Sequence, residues 1–167
     1  KSLISKHYTK EEFAWIMQDW ANSVYSLMIT TAIFPLYFKT VSSNAGISAA
    51  DSTAFLGYAN SIATFAVSIM APVLGALADY KGYRNPMFTW STLLGVFSVI
   101  GMMFAETDQW ILLLALYTLS AIGYSASNIF YDSSIMDVTT YDRMDRISAA
   151  GYGYGYIGSV FPFVLFM

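Results

Sequence analysis

"GALADYKGYRN", residues 75–85, decides how the rest of the chain reads. Ahead of it, residues 53–78 carry no charge, and the run stops on Asp79. Lys81, Gly82 and Arg84 follow, and by Met87 the chain is apolar again. Four further uncharged runs, residues 20–38, 85–105, 110–131 and 147–167, complete a set whose members are 19 to 26 residues long. A helix needs roughly 20 residues to cross a hydrocarbon core about 30 Å thick. Buried helices of soluble domains are shorter and amphipathic.

Composition agrees. Of 167 residues, 56% are hydrophobic, 17% aromatic and 11% charged, against about 25% charged in a soluble domain. Strand-period alternation is absent, which disfavours a β-barrel. The expected fold is an all-α polytopic membrane protein with about five transmembrane helices, near residues 15–38, 53–78, 86–105, 110–132 and 147–167. A secretory signal fits poorly, because the first apolar run is long and follows Glu11, Glu12 and Asp19, and the simpler reading makes that run the first permanent span. Cys is absent, which excludes disulfides, thiolate metal sites and a cysteine nucleophile within the chain.

The cations sort by side. Lys1, Lys6, Lys10, Lys81, Arg84, Arg143 and Arg146 fall on one face of a five-span topology, and Lys39 alone falls on the other. The positive-inside rule then puts the N-terminus in the cytoplasm. Trp15, Trp20, Trp90 and Trp110 stand near expected span ends, as interfacial aromatics do. The stretch 39–53 reads as an external loop. The chain opens on Lys1 and stops at Met167 inside an apolar run, so it reads as the N-terminal part of something longer.

In this orientation Asp79 ends the second span at its cytoplasmic C-terminus, where the helix dipole repels a carboxylate by roughly 0.3–1 kcal/mol. Lys81 and Arg84, or the positive N-terminus of another helix, are candidates to offset that cost. Gly75 fits close helix packing and Gly82 a tight turn. The arrangement resembles the signature loop between helices two and three of the major facilitator superfamily, G-x-L-a-D-[rk]-x-G-r-[KR]. Gly75, Leu77, Ala78, Asp79, Gly82 and Arg84 match, while Tyr80 and Tyr83 stand where basic residues are usual. "QDWANSVYS" (18–26), "TTAIFPLYF" (30–38), "DSTAFLGYANSIA" (51–63) and "SNIFYDSSIMDVTTYDRMDRISAAGYGYGYIGS" (127–159) look like the vacuole-effluxer-like branch of that superfamily.

The resemblance implies twelve helices in two six-helix halves, of which five spans are most of one. It also implies a cytoplasmic gating motif, with Asp79 facing a helix of the second half and Arg84 pairing with Asp137. The fourth run has no Arg and the fifth no Gly-Pro pair, two departures from the pattern of proton-coupled members.

Two polar stripes carry the candidate cavity. Asp19, Asn22, Ser23, Ser26 and Thr30 share one face of the first helix, and Tyr124, Asn128, Tyr131 and Asp132 one face of the fourth. Polar stripes in lipid-embedded helices face a bundle interior or a water-filled cavity, and in the resembled fold these two helices line the transport cavity. Candidate substrate or ion residues are therefore Asp19, Asn22, Tyr25, Ser26, Tyr124, Asn128, Tyr131 and Asp132. Asp132 lies about 33 Å along its helix from Trp110, so Asp132 and Asp19 sit near the cytoplasmic boundary, and interfacial carboxylates remain the alternative for both. Gly151, Gly155 and Gly158 in "GYGYGYIG" form a small-residue face for close helix packing.

The expected function is secondary active transport of a small organic solute by alternating access, an amino acid on the resemblance alone. The alternative is a non-transporting membrane scaffold or receptor of the same fold. No HExxH, G-x-S-x-G or intramembrane His pair supports an enzyme. No cofactor, metal or nucleic acid is expected. The partners are the lipid bilayer, the solute and a C-terminal half of the same transporter, in what reads as a bacterial plasma membrane.

Overall fold

The computed structural model describes residues 8–106 and 108–166. Lys1, Lys6 and Met167, used above, lie outside the described residues. Among the described residues there is no strand, and every long element is helical. In chain order these are α1 (Lys10–Val24), a π-helical stretch (Tyr25–Ile33), α2 (Phe34–Asn44), α3 (Ala49–Ala78), α4 (Lys81–Met102), α5 (Trp110–Val138), a 3-10 turn (Tyr141–Arg143) and α6 (Met144–Phe166). The first three run on as one helix, Lys10–Asn44. Lys10–Asn44, α3 and α5 are long and apolar enough to cross a membrane. At 22 and 23 residues α4 and α6 have the length, but terminal charges, tyrosines and glycines dilute their apolar character.

The chain divides into two compact units. One contains Lys1–Phe34 and Ser134–Met167, the other Pro35–Ser133.

In the first unit α1 packs along α6. Its start is a capping box: Glu12 N donates to Thr9 Oγ1 at 3.1 Å, and Thr9 N donates to Glu12 Oε2 at 2.8 Å. The glycine face of α6 receives α1 as its spacing implied. A β-carbon at Gly151 would stand 2.9 Å from Asp19 Oδ2 and 3.0 Å from Trp15 Cζ3. One at Gly155 would stand 2.6 Å from Ser23 Oγ, and one at Gly158 would overlap the Trp20 indole. At Gly158 only bare backbone permits this approach.

In the second unit the polarity of a soluble domain is inverted. On α3, Ala59 and Ala63 are buried, while Tyr58, Ile62, Phe65, Ile69 and Val73 are exposed. Large apolar side chains outside and small ones inside are what lipid as solvent allows. Buried polar groups pair with one another: Tyr117 Oη donates to Asn60 Oδ1 at 2.9 Å, linking α5 to α3, and Ser42 Oγ donates to Ser52 Oγ at 2.8 Å. Outward hydroxyls bond back to their own helix, as Thr53 does to Ala49 O and Ser61 to Gly57 O. Between α4 and α5 the backbones nearly touch, since a β-carbon at Gly123 would stand 2.7 Å from Gly95 N.

The external loop expected over 39–53 is mostly helix. Only four residues, 45–48, separate α2 from α3. Gly46 has φ 80°, and the Gly46 N–H bonds Ser43 O while Ile47 N–H bonds Ser42 O, a Schellman stop for α2. Ser48 then caps α3, accepting from Asp51 N at 3.1 Å.

Candidate functional site

Helix α3 ends on Ala78, with Asp79 exposed at its C-cap in αR geometry. Tyr80 is extended at φ −89°, ψ 110° and caps α4, which starts at Lys81. Arg84 reaches back from the first turn of α4, and its Nε donates to Ala78 O at 2.8 Å. The side chain is buried at 9% exposure. Arg84 thus satisfies one of the orphan carbonyls at the α3 C-terminus and brings positive charge to the negative end of the dipole.

One of the two glycine expectations needs correction. Gly82 is not the turn: it lies inside α4, and Gly46 is the positive-φ residue among those described. The reversal is made by Asp79 and Tyr80, neither of which needs a left-handed conformation. Gly75 makes no close approach to the described residues, for a β-carbon there meets nothing within 4 Å. Asp137, the third partner the resemblance supplied, is exposed in the last turn of α5 and belongs to the first unit.

The candidate cavity residues divide between the units. In the first, Asp19 is half-buried with its carboxylate against Gly151 and Trp15. Asn22 accepts from Gln18 Nε2 at 3.4 Å. Tyr25 is half-buried and opens the π-helical stretch, and Ser26 is exposed. There the i→i+5 pattern replaces α-bonding, as when Phe34 N–H reaches Ile29 O. The α-helical spacing that aligned Ser26 and Thr30 with Asp19 therefore extends only to Val24. In the second unit Tyr124 and Asn128 are half-buried on α5, Tyr131 is buried, and Asp132 is exposed. None of these residues lines the crevice of about 400 Å³ bounded by Trp90, Leu93, Leu94, Phe97, Ser98 and Leu116. It is apolar, and its one hydroxyl, Ser98 Oγ, is bonded to Leu94 O at 2.7 Å.

Sequence reasoning missed a well-connected carboxylate. Glu12, 1% exposed, accepts from Thr139 Oγ1 at 2.7 Å and from Arg143 Nη2 at 2.8 Å, besides the Thr9 amide. It precedes the membrane-spanning stretch read over 15–38. Burial pushes its carboxyl up, but the hydrogen bonds from Thr139 and Thr9 and the charges of Arg143 and Arg146 outweigh burial, leaving it below the usual value. Nearby, Arg146 lies over the Tyr8 ring at 5.7 Å. The signal that could have found Glu12 is the T-x-x-E pattern over residues 9–12. Among the described residues, no group of His, Cys, Asp and Glu is arranged to hold a metal ion.

The profile of the family described as "Vacuole effluxer Atg22 like" matches residues 46–167. An "Uncharacterized MFS-type transporter YxiO" of Bacillus subtilis (strain 168) is 47% identical over 160 residues, which is 96% of this chain and 37% of that protein. The chain therefore spans a little over a third of the curated relative it matches. No solved structure matches.

Proposed function

We propose that this chain, which belongs to the vacuole effluxer Atg22-like family of major facilitator-type proteins, is part of a secondary transporter for a small organic solute. The observation that carries this reading is polar surface held inside lipid-length helices. Asp19 and Asn22 are half-buried on α1, and Tyr124 and Asn128 on α5, in helices long and apolar enough to span a bilayer. Such groups are costly in hydrocarbon unless they serve a cavity or pathway. The relative's name, a transporter of the same superfamily, supports the same reading.

The cation sorting supports a cytoplasmic N-terminus, and the Bacillus relative supports a bacterial plasma membrane. An amino acid is the solute this reading favours, since a carboxylate on either polar stripe would attract its ammonium group. Asp79, exposed at a helix C-cap, fits an acid whose partner is a helix N-terminus in the other half of the transporter. The open face at Gly75 fits the same neighbour.

The test is counterflow of a labelled amino-acid mixture into proteoliposomes carrying the full-length protein. Uptake above empty liposomes is expected, with Asp79→Asn and Asp132→Asn lowering it and Asp51→Asn leaving it unchanged. Absence of uptake for any solute, with the protein monodisperse, would favour a scaffold or receptor of the same fold.

A further inference from the structure

The seam between α1 and α6 is smooth where it is closest. Gly151, Gly155 and Gly158 offer backbone, and a glycine face lets a neighbouring helix approach but does not dictate its axial register. Slippage by one turn would move α1 about 5.4 Å along α6 and carry Asp19 and Ser23 past their present neighbours. Something directional has to hold the register. The seam residues of α1 include Glu12, Trp15, Asp19 and Ser23, spaced three or four apart on one face, with Trp20 beside them over Gly158. At its start Glu12 is bonded to residues far away in sequence: Thr139 just beyond α5, and Arg143 in the turn before α6. Capping α1 needs only the exchange with Thr9. The two further bonds engage both carboxylate oxygens and are charge-assisted.

We infer that Glu12 is a positioning residue: with Thr139 and Arg143 it sets the register of α1 on the glycine face of α6, and so fixes where Asp19 and Ser23 stand. The Glu12 end of the pair is buried while the Arg143 side chain is 35% exposed; an ion pair so placed adds little net stability compared with apolar packing, and the best-attested use of such pairs is the fixing of register. The geometry suits that use. Glu12 lies seven residues before Asp19 and eleven before Ser23, while Arg143 lies eight before Gly151 and twelve before Gly155. The two helices therefore run alongside each other in step from the clamp outward. The inference leans on the transporter reading only in giving Asp19 a task; the register itself is measurable without any solute.

Ser23→Cys paired with Gly155→Cys reports the register. The β-carbons would lie 3.5 Å apart, within the range of about 3.5–4.5 Å that a disulfide requires. The full-length protein, with any other cysteines replaced, is oxidised mildly in membranes, and disulfide formation is followed by gel shift. Ser42→Cys with Ser52→Cys, whose hydroxyls are bonded in the other unit, serves as the folding control. Expected is rapid closure of the seam disulfide in the parent and with Arg143→Lys. Closure at least tenfold slower is expected with Glu12→Gln and several-fold slower with Thr139→Val, the control pair closing at its parental rate. A slipped pair, Ser23→Cys with Gly151→Cys, should gain disulfide only in the Glu12→Gln background. If Glu12→Gln abolishes the control disulfide as well, Thr139→Val, which leaves the charges in place, decides the matter. Parental seam closure in Thr139→Val and Glu12→Gln, or no gain at the slipped pair, overturns the inference while leaving the transporter reading as it was.

Discussion

The Tyr117 hydroxyl donates to Asn60 Oδ1 at 2.9 Å, joining α5 to α3 between two otherwise apolar helix bodies. Asn60 completes its bonding within α3, its Nδ2 reaching Leu56 O at 3.1 Å. Interhelical hydrogen bonds in membranes are worth about 0.6 kcal/mol on average and up to about 1.7 kcal/mol. Tyr117→Phe should therefore lower unfolding free energy in detergent micelles by about that range, whereas Tyr58→Phe, on the exposed face of α3, should not. Equal effects of the two substitutions would deny the bond any energetic role.

Arg84 is expected to matter as a cap more than as a surface charge. Arg84→Met leaves Ala78 O without its donor, at a cost of about 1–3 kcal/mol for an unsatisfied buried polar group. Tyr83→Met, exposed one position earlier, should cost less than about 0.5 kcal/mol. Thermal unfolding of the two variants separates these outcomes.

Glycines of α6 should divide sharply by face. Gly158→Ala drives a methyl into the Trp20 ring and should destabilise by about 1–3 kcal/mol, the usual cost of overpacking. Gly153, where an added β-carbon meets nothing within 4 Å, should accept Ala with a gain of about 0.5–1 kcal/mol from helix propensity.

Orientation can be read from two single cysteines in a chain that has none. Ser43 and Asn85 are both exposed. In intact cells Ser43→Cys should react with an impermeant thiol reagent and Asn85→Cys should not. The opposite labelling would reverse the topology and remove the basis for the gating motif.

The pH dependence of the Glu12 clamp has a definite sign. Its hydrogen bonds and the neighbouring arginines hold the Glu12 carboxyl below the usual carboxylate value in the folded protein, so its stabilisation is fully present above that usual value and is lost as pH falls through the folded pKa. The stability difference between the parent and Glu12→Gln should be flat from pH 7 to about pH 5 and shrink only in more acidic solution. A difference that shrinks between pH 7 and 6 would assign the carboxyl a raised pKa.

What the sequence made legible follows from what lipid forbids. Runs without charge located every long helix, because hydrocarbon excludes charge regardless of tertiary detail. Their ends were less legible. Helix α1 starts at Lys10 and α2 ends at Asn44, beyond the limits of 15 and 38, because a helix can continue into the polar headgroup zone on Glu11, Lys39 or Thr40. Charge marks where lipid stops, and the backbone need not stop there. The π-helical stretch YSLMITTAI carries no residue type that calls for i→i+5 bonding, so the alignment of Ser26 with Asp19 rested on a period that changes at Tyr25. The T-x-x-E box at Glu12 was readable locally. Its bonds to Thr139 and Arg143, 127 and 131 positions away, belong to packing that no local pattern encodes.

The corner between α2 and α3 also governs where a reporter can be attached. The polar stretch 39–53 invites an epitope or fluorescent tag, since it looks like spare chain. Yet α2 runs through Asn44, Gly46 N–H and Ile47 N–H are already committed, and Ser48 holds the first turn of α3. An insertion at Thr40 or Ser52 would cut a helix and part the buried hydroxyl pair of Ser42 and Ser52. Only within residues 45–48 can the chain be opened without severing a helix, and there the Schellman closure or the Ser48 cap would be lost. A tag on this side will be tolerated only with flexible linkers that let the two helix ends reclose around it.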